Sequence, residues 1–443
     1  MNVLLYWRME GLKSIKDLHG ATVLLRLDWN IPLHKKPVPG DLLKIQDSIE
    51  TIRQLCKQKC KVVVLTHLGR PKTSNLAARS SKLGRKIDKN YSTARLLPLV
   101  EMYLEKPIHF CGENLTNEQE RLEALKSIQV GKPGSVFLLE NVRFYPGEET
   151  NDPALAKAYA SLGEVFVNDA FASCHRQHVS VVGIAKLLPS AAGPQLIKEI
   201  EAADKVLKNP KKPFVLILGG AKLETKMPVI ASLLPKADKI LIGGAMANAF
   251  FAAKKLSLGK SLADKESIKL AKALKSPKII LPEDVLVAKK IALGAKPKCV
   301  AIKQISKTDM IGDIGVKTMR SWSQIIKSAK TILWNGPLGV TEIPAFSHGS
   351  LVIAQAVAMR SKGKAFGLVG GGDTVPVVIE SGMSEWIDHI SMGGGALLEY
   401  IGTRGKLPGI IALTRPTSHV PRPTSKKTKT KRTSSKAKRR STK

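Results

Sequence analysis

The chain has 443 residues, of which 43% are hydrophobic and only 5% aromatic, so we expect two or three domains with aliphatic cores. Lys and Arg number 71 against 36 Asp and Glu, which gives a formal net charge of +35. This composition excludes collagen-like and disulfide-scaffold proteins. No apolar run approaches the roughly 20 residues of a membrane-spanning helix.

The N-terminal residues and the cysteines indicate where the protein works. The opening sequence MNVLLYWRME lacks the basic start and the longer apolar region of a secretory signal. The cysteines are five, an odd and scattered set, which favours reduced thiols over disulfides or a zinc site. We therefore predict a cytoplasmic protein.

Short aliphatic runs alternate with longer amphipathic stretches over most of the chain. The runs are continuously apolar, which is typical of strands buried on both faces of a parallel sheet that helices cover. The stretches 41–58 and 347–361 have the apolar spacing of crossover helices. The predicted strands are TVLLRLD (22–28), KVVVLTH (61–67), SVFLLEN (135–141), EVFVNDA (164–170), FVLILGG (214–220), KILIGGA (239–245), KIILPED (278–284), TILWNGP (331–337) and AFGLVGGGD (365–373).

The strands fall into two groups, which predicts two domains. The first four are followed by polar segments, and most later ones by glycine-rich segments. Between the groups, residues 194–213 read as a helix that ends at a Pro/Asn/Lys break. We predict an α/β protein with two Rossmann-like three-layer α/β/α domains, parallel sheets, a linker helix and a hinge. The predicted divisions are 1–190, the linker 191–212, 213–400, a segment 401–413 that returns to the first domain, and a tail 414–443.

The predicted tail differs from the rest of the chain. Residues 414–443 contain 12 Lys or Arg, 12 Ser or Thr and no acidic residue. Such a segment cannot bury enough apolar surface to offset the entropy of ordering it, so we predict that it is disordered. Its cations could bind nucleic acid without sequence preference by counterion release, or the tail could have no partner at all.

Polar residues follow the strands of the first group. Carboxyl ends of parallel strands meet at one edge of a sheet, so three arginines and a histidine would converge there. Their mutual repulsion is unfavourable unless an anion is bound, and the guanidinium fork matches carboxylate or phosphate. A small, multiply anionic ligand is therefore predicted, although each arginine alone could be a surface residue or a salt-bridge partner. The residues are Asp28, Asn30, His67, Arg70, Asn141, Arg143, Asn168, Asp169, His175, Arg176 and His178.

Glycine clusters follow the strands of the second group. Glycine before a helix lets backbone N–H groups approach phosphate, although turns also need glycine. Lys222 and Lys226 are four residues apart and could flank that phosphate, and Asp373 could bind Mg²⁺. Neither a Walker A motif nor a dinucleotide fingerprint is present. An anion site in one domain and a nucleotide site in the other predict phosphoryl transfer across a cleft. The clusters are Gly219–Gly220, Gly243–Gly244, Gly336, Gly370–Gly372 and Gly393–Gly395.

These residues lie in segments that resemble the phosphoglycerate kinase family from about Leu12 to Leu413. The order and spacing of the segments are specific. They are RLDWNIP (26–32), THLGRP (66–71), LLENVRFYPGEETNDP (138–153), FVNDAFASCHRQH (166–178), LILGGAKLETK (216–226), LIGGAMA (241–247), WNGPLGVTE (334–342), GGGDT (370–374) and SMGGGALLEYIG (391–402).

The resemblance implies a hinge-bending monomer of glycolysis and gluconeogenesis. It implies a Mg²⁺-dependent enzyme that transfers a phosphoryl group between ATP and the carboxylate of 3-phosphoglycerate. The transfer is expected to be in line and to form no covalent enzyme intermediate. It assigns the acid substrate to Asp28, Asn30, His67, Arg70, Arg143 and Arg176. It assigns the nucleotide to Gly220, Lys222, Lys226, Gly243, Gly244, Asn335, Glu342 at the ribose, Gly371, Gly372, Asp373 with Mg²⁺, and Thr374. The implied catalytic residues are Lys44, Lys222, Gly372 and Gly395.

The chain departs from the family pattern at several positions. Lys44 stands where the family has an arginine that reaches the transferring phosphoryl group, so charge is kept and the bidentate fork is lost. Trp29, Ala245, Met392 and Leu397 are further departures. These changes and the basic tail leave a second hypothesis, a weakened kinase-fold protein that binds nucleic acid. A Rossmann dehydrogenase is a distant third because its fingerprint is missing.

Overall fold

The computed structural model describes residues 11–14, 18–33, 39–71, 88–112 and 114–414. Almost all of the predicted tail, residues 415–443, therefore lies outside the described residues. Within the described residues, no helix is both long enough and apolar enough to cross a membrane.

Two parallel sheets of six strands form the frame of the molecule. In the first sheet the spatial order is β3-β4-β2-β1-β5-β6, and in the second it is β15-β14-β13-β7-β8-β9. The first six strands are β1 Thr22–Arg26, β2 Lys61–Leu65, β3 Ile108–Cys111, β4 Val136–Leu139, β5 Val165–Asn168 and β6 Ser190–Ala192. The second sheet contains β7 Phe214–Leu218, β8 Lys239–Ile242, β9 Ile279–Ile280, β13 Thr331–Asn335, β14 Phe366–Gly370 and β15 His389–Ser391.

A third sheet, which the sequence did not predict, is antiparallel and has the order β11-β10-β12. The run 278–284 was expected to be one strand, but only Ile279–Ile280 joins the second sheet, and a new strand begins at Asp284. Pro282 lies between them and supplies no N–H for a continuous ladder. The strands are β10 Asp284–Ala288, β11 Lys298–Ala301 and β12 Met310–Ile314.

Helices cover both large sheets. The helices that precede β7 in the chain are α1 Pro39–Lys57, α2 Leu97–Leu104, α3 Glu118–Val130, α4 Pro153–Ala160 and α5 Pro194–Leu207. Those that follow are α6 Met227–Leu233, α7 Met246–Ala253, α8 Lys265–Ala273, α9 Val316–Ser328, α10 His348–Arg360, α11 Thr374–Glu380, α12 Gly395–Gly402 and α13 Pro408–Leu413.

Burial on both faces explains the continuous apolar runs. In β1, Val23 and Leu25 pack into one core cluster and Leu24 into another on the opposite face, and all three are fully buried. In β7, Phe214 and Val215 likewise belong to different clusters. Each sheet therefore separates two aliphatic cores, as parallel α/β architecture requires.

The end of the described chain returns to the first sheet. Helix α13 packs against β6, and Gly409 N donates to the carbonyl of Cys174 at 2.9 Å. Ala412 joins the same core cluster as Leu24. We refer below to the part built on the first sheet, with α13, as the first lobe and to the part built on the second sheet as the second lobe.

Candidate active site

Three arginines gather around one cavity at the carboxyl edge of the first sheet. Arg70, Arg143 and Arg176 line a cavity of about 380 Å³ together with Pro71, Glu149 and His178. Burial lowers the pKa of Arg143, and the nearby charge of Arg176 lowers it further. Glu149, at 3.8 Å from Arg143, is mostly exposed and cannot neutralise three guanidinium groups. The cluster therefore favours a multiply charged anion.

Two asparagines hold the loop that carries Arg70. Asn30 Oδ1 accepts a hydrogen bond from Gly69 N at 2.7 Å. Asn141 is fully buried, and it donates to Leu68 O at 2.7 Å and accepts from Leu68 N at 3.2 Å. The loop after β2 is thus fixed to the loops after β1 and β4, which places the strand-end residues at one edge as the sequence predicted.

His67, Asp28 and Lys44 form a second group beside the arginines. His67 is buried, and burial together with Arg26 and the neighbouring cations keeps its pKa well below the usual value. The ring is therefore neutral near pH 7, and its 3.7 Å approach to Asp28 is not an ion pair. Asp28 Oδ1 is buried and has no hydrogen-bond partner within the described part of the chain.

Lys44 points to the loop after β1. Its ammonium donates to the carbonyl of Asn30 at 3.0 Å and lies 3.8 Å from Asp28 Oδ2. About a fifth of the side chain is exposed, so the charge lies at the surface of the cleft. Lys44 shares a small cavity of about 70 Å³ with residues of the second lobe, including His389 and Gly393.

Sequence reasoning missed Arg26. This side chain is 1% exposed at the end of β1, and its Nη2 lies 3.2 Å from His67 Nδ1. A buried arginine inside an apolar run is rare because an unpaired buried charge is costly, and that rarity was an available signal.

The glycine clusters of the second sheet divide into two kinds. The segments of Gly219 and Gly336 pack tightly against each other at two strand ends. A Cβ atom added to either glycine would lie 2.1–2.5 Å from backbone atoms of the opposite segment, so only glycine fits at these positions. Gly243, Gly244 and Gly371 also contact neighbouring atoms closely. By contrast, a Cβ at Gly220, Gly372 or Gly395 would meet nothing within 4 Å. These three border open space, where a phosphate could approach the backbone.

A cavity of about 220 Å³ has one of these glycines, Gly220, in its wall. Its walls are mostly apolar, and Glu342 and Asp373 supply carboxylates. Ala245 lines it where the family resemblance expects glycine. A slot with apolar walls and a few polar groups at its rim suits a nucleotide base and ribose. The remaining lining includes Gly220, Gly244, Phe251, Asp313, Leu338 and Val340.

Lys226, Asn335 and Thr374 are connected at the strand ends. Lys226 Nζ donates to Asn335 Oδ1, and burial lowers the pKa of this lysine. Asn335 Nδ2 donates to Gly370 O at 2.6 Å, and Thr374 Oγ1 accepts from Gly336 N at 2.7 Å. Lys222 is exposed and close in sequence to this group. The ammonium of Lys226 is therefore fixed at the carboxyl edge of the second sheet, whereas the ammonium of Lys222 extends into solvent.

The donor set fits Mg²⁺ that arrives with a nucleotide. Among the residues that the structure describes, no group of three or more His, Cys, Asp or Glu could hold a metal ion. Mg²⁺ commonly uses one or two carboxylates, substrate phosphates and water instead of an all-protein cage. Asp373 precedes α11 and lines the nucleotide-sized cavity, so its carboxylate suits that arrangement.

Helix α5 contacts both lobes. Gln195 Nε2 donates to Asp47 O at 2.6 Å, and Gln195 N donates to Asp169 Oδ1 at 2.7 Å. On the other side, Glu199 Oε2 lies 3.0 Å from His389 Nε2, and Glu199 Oε1 accepts from Met392 N at 3.0 Å. Since Met392 contributes its backbone here, this contact does not require the hydroxyl side chain of the family pattern.

Other departures are accommodated by packing. Trp29 is fully buried and donates through Nε1 to Ser48 Oγ at 2.7 Å. Leu397 is fully buried and faces Gly370, where an added Cβ would lie 2.7 Å from its methyl group. Neither residue faces the two cavities that form the candidate site.

Comparison with known proteins gives one consistent result. A family model described as phosphoglycerate kinase matches residues 12–404. Phosphoglycerate kinases of Thermus thermophilus and Moorella thermoacetica are 41% and 40% identical over 403 and 412 residues, covering 90% of this chain and 98% of each relative. The solved phosphoglycerate kinase of Coxiella burnetii aligns with a TM-score of 0.75 at 36% identity, covering 90% of this chain and 98% of that one. The kinase of Pyrococcus horikoshii aligns with a TM-score of 0.76 at 28% identity, over 91% and 98%.

Proposed function

The chain belongs to the phosphoglycerate kinase family, and we propose that its arginine cluster binds 3-phosphoglycerate while its glycine-edged cavity binds ATP or ADP. The enzyme is a phosphotransferase with a carboxyl group as acceptor. The observation that carries the assignment is the cavity between Arg70, Arg143 and Arg176, whose charge only an anion with several negative groups balances.

Within the first lobe, the arginines hold the phosphate end of the acid, and His67 and Asn30 complete its surroundings. Asp28 and Lys44 then lie on the side of the second lobe, where the carboxylate has to meet the γ-phosphorus. A carboxylate oxygen attacks that phosphorus in line, and ADP leaves with the electron pair of the broken P–O bond. Lys44 neutralises the charge on the transferring group through its ammonium.

Within the second lobe, the base and ribose occupy the apolar cavity with Glu342 at its rim. The phosphates lie along the open backbone of Gly220, Gly372 and Gly395, and Lys222 and Lys226 neutralise them. Gly243, Gly244, Gly371, Asn335 and Thr374 shape this edge. Mg²⁺, held by Asp373 and the phosphates, supplies further charge neutralisation when it is bound.

Closure of the lobes around α5 would bring the two sites together and exclude water. The contacts of Gln195 with the first lobe and of Glu199 with the second support α5 as the linker of such a movement. We further propose that the enzyme acts as a monomer in the cytoplasm. The relatives lend no support to nucleic-acid binding as an alternative function.

The test is a coupled assay with ATP, Mg²⁺ and 3-phosphoglycerate, in which a second enzyme consumes 1,3-bisphosphoglycerate. Arg143→Ala is expected to raise KM for 3-phosphoglycerate at least about ten-fold, because a charge-assisted contact is lost, and to leave KM for ATP unchanged. Asp373→Ala is expected to lower the rate at every Mg²⁺ concentration.

Arg121→Ala is the matched control for Arg143→Ala, since Arg121 donates to Leu115 O in the same lobe but away from the cavity. Equal effects of Arg143→Ala and Arg121→Ala on KM would contradict the assignment.

A further inference from the structure

Arg26 is a fully buried cation to which no carboxylate among the described residues is directly bonded. Its Nε donates to Ser180 Oγ at 3.0 Å, and its Nη2 lies 3.2 Å from His67 Nδ1 and 3.4 Å from Ser173 Oγ. Burial lowers the pKa of Arg26, and Glu148 is the leading charge that opposes this effect. An uncompensated buried cation would be strongly destabilising, so the charge of Glu148 matters for this arginine.

Glu148 reaches Arg26 through one hydroxyl group. The carboxylate is completely buried, and Ser180 Oγ donates to its Oε1 at 2.5 Å while Ser180 N donates to Oε2 at 3.1 Å. Three hydrogen bonds in series therefore lead from Glu148 through Ser180 and Arg26 to His67 Nδ1. Asp28 Oδ1 lies 3.7 Å from that same nitrogen, beyond hydrogen-bond distance.

When Glu148 is ionised, the chemistry of donors fixes every proton in this series. A guanidinium can only donate, so Ser180 Oγ accepts from Arg26 and must direct its own proton to Glu148. For the same reason His67 Nδ1 must accept from Arg26 Nη2. The neutral imidazole then carries its proton on Nε2, on the other side of the ring from Arg26.

We propose that Glu148, acting through Ser180 and Arg26, fixes the orientation and the Nε2–H tautomer of His67, and thereby positions that ring for 3-phosphoglycerate. Glu148 is a positioning residue that does not touch the substrate. The inference rests on the proposed role of His67 in the acid-binding site.

A purely structural role for Glu148 is the competing explanation. Val179 N donates to Glu148 O at 2.9 Å, so the same residue also stabilises the helical segment Val179–Gly183. Part of that role involves the backbone of Glu148, which a substitution leaves in place, and part involves the side-chain Oε2, which accepts from Ser180 N in the same segment. An experiment on the side chain therefore separates the two explanations if it observes His67 itself.

The test uses the full chain with ¹⁵N-labelled histidines. The ring nitrogens of His67 are identified among nine histidines by the signals that His67→Gln removes. In the wild-type protein at pH 8, where most of Glu148 is ionised, we expect an unprotonated Nδ1 and a protonated Nε2. Glu148→Gln and Ser180→Ala should each give a mixture of tautomers. Both variants should also raise KM for 3-phosphoglycerate by about ten-fold, while KM for ATP stays unchanged.

Glu164→Gln is the matched control. Glu164 accepts from Thr22 N at 2.8 Å at the opposite end of β1, and its side chain is exposed. This variant should keep the wild-type tautomer and KM. Glu148→Gln is nearly isosteric with the wild type and decides the question even if Ser180→Ala does not fold. The inference is overturned if folded Glu148→Gln shows a single Nε2–H tautomer and an unchanged KM for 3-phosphoglycerate. Lack of kinase activity in the wild type would contradict the proposed function, whereas the tautomer in the free protein would still decide this inference.

Discussion

Lys44 is the residue at which the sequence resemblance predicts the clearest departure from the family pattern. Its single ammonium donates to Asn30 O and lies 3.8 Å from Asp28, so part of its charge is directed to the first lobe. An arginine could keep one such contact and still offer a second N–H edge to a phosphoryl oxygen.

We therefore predict that Lys44→Arg raises kcat by about ten-fold or more. The planar fork orients the transferring group as well as neutralising its charge, and one added charge-assisted hydrogen bond is worth about 1.5–3 kcal/mol. The measurement is kcat at saturating ATP and 3-phosphoglycerate. Lys57→Arg, on the exposed last turn of the same helix α1, is the control and should change nothing. An unaltered kcat in Lys44→Arg would show that the ammonium suffices.

Glu148, which we propose positions His67, also lowers the stability of the fold when it ionises, because burial opposes its charge more strongly than Arg26 favours it. Burial raises its pKa from 4.5 to about 7, although Ser180, Arg26 and Arg143 act in the opposite direction. His178 and Tyr159 also lie nearby, and His178, with a pKa of about 4, is neutral above pH 5. A carboxyl group with a raised folded pKa stabilises the fold fully only below its unfolded pKa, and that contribution is lost as pH rises through about 7.

Accordingly, the free energy of unfolding of Glu148→Gln relative to the wild type should increase between pH 5 and pH 8. The expected increase is about 2 kcal/mol, because the glutamine cannot ionise. Urea denaturation at the two pH values measures it, with Glu164→Gln as the control. The same difference at both pH values would mean that Glu148 does not titrate in this range.

Sequence patterns identified the residues that follow the strands better than the buried residues that support them, Arg26 and Glu148. Arg143 and Arg176 follow their strands, where polar side chains attract notice. Arg26 lies inside an apolar run, and Glu148 lies in the acidic segment GEETND, which looks like solvated loop. Their importance comes from a contact through Ser180, 32 residues from Glu148 and 154 from Arg26, which no local pattern encodes.

At the scale of elements, the glycines after the strands perform two different tasks. Gly336 adopts a φ of 95° and packs against Gly219, whereas Gly372 is outside the positive-φ range and has open space beside it. Sequence alone predicted that glycines gather here, but only the packing distinguishes those needed for folding from those that leave room for a ligand.

Gly372→Ala and Gly336→Ala should therefore have opposite consequences. Gly372→Ala should keep the melting temperature of the wild type and weaken ATP binding, because the new methyl group occupies the path of a phosphate. Gly336→Ala should lower the stability by more than about 1 kcal/mol, because its methyl group would lie 2.2 Å from Gly219 O at a positive φ. Thermal unfolding and nucleotide titration distinguish them. A destabilised Gly372→Ala that binds ATP normally would refute this division.

The sequence predicted long buried strands more reliably than short or exposed ones. β7 is buried throughout and β1 is buried except at Thr22, and both are centred on apolar runs. β6 has three residues and begins with Ser190, and β11 is mostly exposed and begins with Lys298. Such segments become strands because neighbouring strands bind their backbone, so the antiparallel third sheet escaped prediction.

At the scale of the whole molecule, kinase function and the basic tail are separable. The three cavities, Gly395 and the linker helix lie within residues 28–395. A chain that ends at Thr414 should therefore keep the kcat and both KM values of the full protein. Steady-state kinetics of the two chains at low and high salt provide the test. A changed KM for either substrate at low salt would show that the tail affects the site.

The contact of α13 with the first lobe also determines the order in which the enzyme can be completed during synthesis. Residues that start the first lobe leave the ribosome early, but Gly409 and Ala412, which close its core beside Cys174, are translated after the entire second lobe. Part of the apolar surface of the first lobe therefore stays uncovered until α13 leaves the ribosome. Ribosomes that stall within the second lobe would consequently present a kinase whose earliest-made half is the unfinished one.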